Sequence, residues 1–211
     1  MTQTRAKNFQ CTVAAALFAA ALLALAGCNA QPDLNNLDTS ASNRGAEAYR
    51  LSIEAQQAQR AGRPADAIAL YQRAAELQPN MPGVWNNLGG LLMERQLYLD
   101  AVTAFKREAD ISPDDPRPYE NLGLAYYEAQ HAEESIKYYE LALERDPNRV
   151  ESLRGLARVS RARSTATPKI ADHLRRALLL ETDPTWRKFL ENERIRVENQ
   201  LREEKESGRQ K

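Results

Sequence analysis

Cysteine and histidine are scarce, with two of each in 211 residues. Two cysteines cannot make a disulfide framework, and the pair of histidines adds too little for a metal cluster at ligand spacing. Surplus charge is missing too, with 29 Lys+Arg against 29 Asp+Glu and a formal net charge of zero. A general nucleic-acid binder needs excess cations to displace counterions from phosphates, so this balance argues against one. No glycine-rich phosphate loop and no G-x-S-x-G elbow occurs in the chain, which removes two common signatures of catalysis and implies no cofactor. The apolar run Cys11–Ala26 is shorter than the roughly 20 residues that a helix needs to cross a bilayer. What is plentiful is charge, at 27%, beside 43% hydrophobic residues. That is the composition of a helical protein with a charged surface, long enough to bury a sizeable core in one domain.

Residues 1–10 are polar, with Arg5 and Lys7 as their only charges, and the apolar run behind them fits the hydrophobic region of a secretory signal. The run ends in Leu25-Ala26-Gly27-Cys28, which resembles the lipobox of bacterial lipoproteins. The resemblance implies that residues 1–27 are a cleaved signal peptide, and that Cys28 carries a lipid such as palmitate on sulfur and an acyl chain on its new amino group. Two or more acyl chains, at about 0.8 kcal/mol per buried methylene, make a stable membrane attachment. In that family an Asp after the cysteine marks inner-membrane retention. Asn29 stands there, which implies an outer-membrane anchor facing the periplasm in a Gram-negative envelope. From Asn29 to Gly45 the residues are too polar to fold alone, so 28–45 reads as the lipidated Cys plus a flexible tether reaching roughly 20–25 Å.

From about residue 46 the chain repeats with a period of 34. Trp85, Leu88, Gly89, Ala101, Phe105 and Pro113 are followed one period on by Tyr119, Leu122, Gly123, Ser135, Tyr139 and Pro147. The tripeptide Asn-Leu-Gly recurs at 87–89 and 121–123. This resembles the tetratricopeptide repeat, a helix–turn–helix unit. The bulky residue and the Leu three later share one face of a first helix, and the adjacent Gly lets a second helix approach closely. Small residues and an aromatic fill the facing side of that second helix, and Pro ends the unit. Counting back yields a first repeat with Leu51, Ala67, Tyr71, Ala74 and Pro79, with Gly62 at its turn. Counting forward yields a fourth with Leu153, Leu156, Ile170, Leu174 and Ala177, its second helix one residue late. Trp186, Phe189, Leu190, Val197 and Leu201 mark a last amphipathic helix, which suits the cap a solenoid needs. The resemblance implies an all-α, right-handed superhelical solenoid of about four repeats, near 46–79, 82–113, 116–147 and 150–184, with a charged capping helix and tail over 185–211. Glu108 breaks the pattern where the family usually has a small Ala, so its carboxylate must find a partner or open the packing.

The fold so implied is a non-catalytic scaffold whose concave groove is lined by first helices. Matching the family's groove positions onto this chain gives Ser52 and Gln56, then Asn86, Asn87, Gly90 and Met93, then Arg117, Glu120, Asn121, Leu124 and Tyr127, and finally Arg154, Arg158 and Arg161. Asn87 and Asn121 can hold an extended peptide through paired donors and acceptors. Arg154, Arg158 and Arg161 fall at i, i+4 and i+7 on one helical stripe, suited either to an acidic partner or to plain solvation as a charged face. The lysine–asparagine clamp of some family members is not reproduced, since Ser52 and Gln56 occupy those positions. Asp114-Asp115 and Glu133-Glu134 fall at helix starts, where negative charge suits the dipole. His131 in a turn and His173 among arginines are expected as solvated surface histidines. Charge is unevenly spread: residues 94–146 hold 6 basic and 13 acidic groups, residues 149–178 hold 8 and 2. The functional expectation is a membrane-anchored interaction scaffold for an envelope-assembly partner, of the kind that pilots pilus or secretin subunits or organises cell-wall enzymes. A structural lipoprotein that forms a homodimer through the terminal helix or first repeat is the competing expectation.

Overall fold

The computed structural model describes residues 34–209, and among these nine helices and no strand are found. The signal segment, the Leu25–Cys28 box and Asn29 lie outside the described residues. The repeats lie in the compact unit that begins at Arg44. The helices are α1 (Leu34–Arg60), α2 (Pro64–Leu77), α3 (Val84–Glu94), α4 (Tyr98–Ile111), α5 (Pro116–Glu128), α6 (Ala132–Arg145), α7 (Val150–Arg163), α8 (Pro168–Leu180) and α9 (Pro184–Arg209). The all-helical repeat architecture expected from the sequence period is the one observed. Residues 34–45 are helical where composition predicts a tether. Pro32 is the last proline before the buried Ala48 and Leu51, so a helix nucleated by that packing can extend backwards without a breaker. Among the described residues no helix is long and apolar enough to cross a membrane.

Within each pair the two helices are joined by a turn with one left-handed residue: Gly62 (φ 69°), Gln96 (60°), Gln130 (64°) and Ser164 (51°). Each follows the last by one full period, so the backbone keeps the repeat even where the side chains drift. Only Gly62 adopts this conformation without Cβ strain. The slip in the fourth repeat comes after Ser164. Helices α2, α4 and α6 start in strict register at Pro64, Tyr98 and Ala132, whereas α8 starts at Pro168 and so passes over Ala166, where the register would place it. Two of the second helices have proline in the first turn, Pro64 and Pro168, where the missing N–H would be unbonded anyway.

Two apolar clusters meet in the third repeat. The first runs from Leu51 through Tyr71, Leu91 and Phe105 to Leu122 and Ala142; the second gathers Tyr139, Leu153, Leu156, Ile170, Leu174, Leu190 and Val197. Fully burying each large side chain contributes about 1.5–3 kcal/mol. The glycines beside the aromatics set how closely helices approach. A Cβ on Gly89 would lie 2.5 Å from the Phe105 ring, and one on Gly123 2.7 Å from the Tyr139 ring. On its other side the same Tyr139 ring meets Gly155, where a Cβ would come to 2.2 Å. The last helix, α9, packs on α8 and α7 and buries Leu190, Glu193 and Val197.

Glu108 on α4 is buried, and it finds partners rather than opening the packing. Its two carboxylate oxygens accept the backbone N–H of Gly83 at 2.8 Å and of Asn86 at 3.2 Å, at the start of α3. A buried acid thus caps the helix paired with its own, where orphan donors and the dipole favour negative charge.

Candidate functional site

The first helices α1, α3, α5 and α7 carry Ile53, Asn87, Asn121 and Gly155 at corresponding positions of the repeat. Between α3 and α5 the Asn121 amide donates to Asn86 Oδ1 at 2.7 Å, so these two asparagines bond each other. Asn86, Asn87 and Arg117 line one cleft of about 300 Å³ beside Glu108. Asn121, Arg154 and Arg158 line a second, of about 260 Å³, with Glu120, Glu151, Leu124, Tyr139 and Trp186. Tyr127 is half-buried and lies under the Arg158 guanidinium, 4.7 Å from it. Met93 packs against the first apolar cluster. Ser52 is buried and its hydroxyl donates to the Tyr49 carbonyl at 2.7 Å, while Gln56 is exposed. Arg117 is held by its neighbour Asp115, with guanidinium–carboxylate distances of 2.6–3.0 Å, and this bond holds the Asp115 carboxyl below its usual range.

The arginine stripe on α7 divides three ways. Arg154 forks onto Glu181 with two bonds of 2.7 Å and lies 5.0 Å from the Trp186 ring. The Glu181 side chain is 1% exposed, and the Arg154 bond, with the Asp183 N–H as a lesser contributor, lowers its pKa to about 2. Arg161 is 3.7 Å from Glu193, whose side chain is wholly buried. Glu193 is held mainly by Arg196, at 2.5–3.1 Å, and by the Ser160 hydroxyl at 3.0 Å. Arg158 alone of the three has no carboxylate. Its Nε is buried without a hydrogen-bond partner, beside Tyr139, whose phenol burial pushes up and keeps neutral. The cleft therefore offers one arginine outside any ion pair, an amide, a hydroxyl and an apolar wall, beside Glu151 and Glu120, the latter already held by Arg149, and the free guanidinium edge suits a carboxylate on an extended segment.

Several residues that matter here went unread in the sequence. Glu181, just after α8, and Glu193, on α9, neutralise the stripe from elements later in the chain. The signal for Glu181 was its place in the register, one period after Pro147 where a fourth proline would fall. Tyr49 and Ile53 are exposed on α1, at 60% and 38%, and the register back from Asn87 would have found Ile53. The acidic pairs stand at helix starts, with Asp115 capping α5 and Glu133 and Glu134 in the first turn of α6. His131 is exposed. His173, in contrast to the solvated histidine the sequence predicts, is half-buried, its Nε2 has no partner, and burial lowers its pKa, because α8 packs against neighbours on more than one side.

Residues 54–116 and 116–149 match models of the tetratricopeptide repeat. Solved structures with a similar fold include the MamA protein, at 15% identity over 75% of this chain and 88% of that one, with a TM-score of 0.63. MamA residues 41 to the end from Desulfovibrio magneticus RS-1 match at 21% identity over 63% and 75%, with a TM-score of 0.58. The first tetratricopeptide domain of Spaghetti (RPAP3), solved with a bound HSP90 peptide, matches at 22% over 57% and 96%, with a TM-score of 0.55. No curated protein matches the chain. Residues 54–149 thus carry tetratricopeptide repeats, and the helical-repeat fold is that of these solved structures.

Proposed function

We propose that this chain is a membrane-tethered scaffold whose first-helix groove holds an acidic peptide or helix of an envelope-assembly partner. The observation that carries the reading is Arg158: a half-buried arginine with an unpartnered Nε, set in a cleft with Asn121 and Trp186. A desolvated cation of this kind gains most from a carboxylate supplied by another molecule. Peptide binding by the structural neighbour solved with an HSP90 peptide lends analogy to this reading.

The anchor rests on the order of basic start, apolar run and Leu25-Ala26-Gly27-Cys28, and the outer-membrane reading on Asn29. Its check is metabolic palmitate labelling, which Cys28→Ser should abolish. For the groove, pull-down from solubilised membranes should recover a defined partner that Arg158→Glu loses while helicity is kept. Arg154 is a poor choice for this test, because replacing it strands the buried Glu181. A partner retained by Arg158→Glu would sink the assignment.

A further inference from the structure

The gap between α4 and α6 is filled by the chain itself. Tyr126 and Tyr138 stack there with centroids 5.3 Å apart and planes at 9°, Lys106 Nζ lies 5.7 Å from the Tyr126 ring, and His131 meets the same ring edge-on at 6.0 Å. One repeat earlier, the corresponding residues are Leu92, Ala104, Gln72 and Leu97, each one period before its counterpart. Two rings are thereby missing, and the gap between α2 and α4, floored by Trp85, Leu88 and Leu92 of α3, is an open cleft of about 580 Å³.

The rim of this cleft is as unusual as its floor. Leu97 and Leu99 are 47% and 61% exposed, where the third repeat has His131 and Glu133. The charged residues lining it are Arg95 and Asp100, and neither has a partner of opposite charge among the described residues. Leu99 is next to Asp100 and one helical turn before Thr103, both of which line the cleft, so knob, hole, cation and anion adjoin one another. A two-fold axis brings each such element against its complement, since residue i meets j and j meets i.

We propose that a second copy of this chain docks on this face by a two-fold contact, with Leu99 of each copy entering the α2–α4 cleft of the other. Arg95 of each copy then faces Asp100 of the second copy. The apolar burial supplies the affinity, and the rim charges set the register. The cleft shares no residue with the one around Arg158, so dimerisation and partner capture fail or succeed separately.

The test is sedimentation equilibrium of the full chain in density-matched detergent over a hundred-fold range of concentration, after circular dichroism has confirmed helicity. The expected result is a concentration-dependent doubling of mass. Leu99→Glu should weaken the dimer by about tenfold or more. Arg95→Asp and Asp100→Arg should each weaken it by roughly three- to tenfold, and the double exchange should restore it. Leu92→Tyr with Ala104→Tyr, which copies the self-filled gap, should abolish it; if that pair misfolds, Leu99→Glu and the charge exchange decide alone. A monomer at every concentration, a dimer indifferent to Leu99→Glu, or a charge exchange that does not restore would each overturn the proposal.

Discussion

The second repeat and the C-terminal part of the solenoid bury carboxylates in different ways. In the α3–α4 pair, Glu108 is satisfied by two backbone N–H groups at the start of the neighbouring helix. Around α7–α9, Glu181 and Glu193 are satisfied chiefly by Arg154 and Arg196. The register explains the difference. Where the period is intact, a second-helix side chain reaches the start of its own partner helix. Where α8 has slipped and α9 is an added element, the helices are fixed by charged side chains that bridge elements far apart in the chain, as Arg154 does to Glu181 and Arg196 to Ser160. The charge asymmetry of the sequence is largely consumed in this way: Arg149, Arg154, Arg161, Lys169 and Arg175 are all in ion pairs.

The contrast can be broken most directly at the two buried acids. Glu193→Ala takes the counter-charge from Arg196, leaving it only carbonyl, amide and hydroxyl acceptors, and should cost about 3–5 kcal/mol in urea unfolding. Glu108→Ala removes only a cap and should cost about 1–2 kcal/mol; equal losses would mean that the two regions do not differ. Gly155→Ala drives a methyl into the Tyr139 ring and should cost about 1–3 kcal/mol. Gly90, where a Cβ meets open space, should instead gain up to about 1 kcal/mol as Ala.

A pH titration sharpens the same contrast. The Glu181 carboxyl is held down to about 2 from a usual 4.5, chiefly by Arg154. Its stabilisation is therefore full above pH 4.5 and is lost as pH falls towards 2. Glu181→Gln should flatten the stability–pH curve in that window. The smallest effect is expected in the turns: Gln130→Gly relieves a left-handed residue at the expense of unfolded-chain entropy, for a net gain below about 1 kcal/mol by thermal unfolding.

Periodicity carried most of the fold. Leu88, Gly89, Phe105 and their counterparts one period on mark helix faces, because burial on a helix repeats locally and leaves a pattern in the chain. The Asn86–Asn121 contact was within reach of the same register. The partners of Arg154 and Arg161 were not, since a charged residue does not announce which distant charge it will meet. The arginine stripe is correct as geometry, yet Arg154 is forked onto Glu181 and the exposed Arg161 lies 3.7 Å from Glu193, both glutamates coming from following elements. Only departures from the repeat hinted at them: Glu181 in a proline's place, and Ser160 buried on a first helix.

Tyr139 touches both sides of a boundary. Its ring lies between Gly123 of α5 and Gly155 of α7, so the third and fourth repeats share one side chain where most solenoid neighbours share only surfaces. Opening either repeat exposes that ring to water. Loss of structure from the C-terminal end should therefore not halt at the α6–α7 junction, and amide protons on α5, α6 and α7 should exchange as one cooperative block.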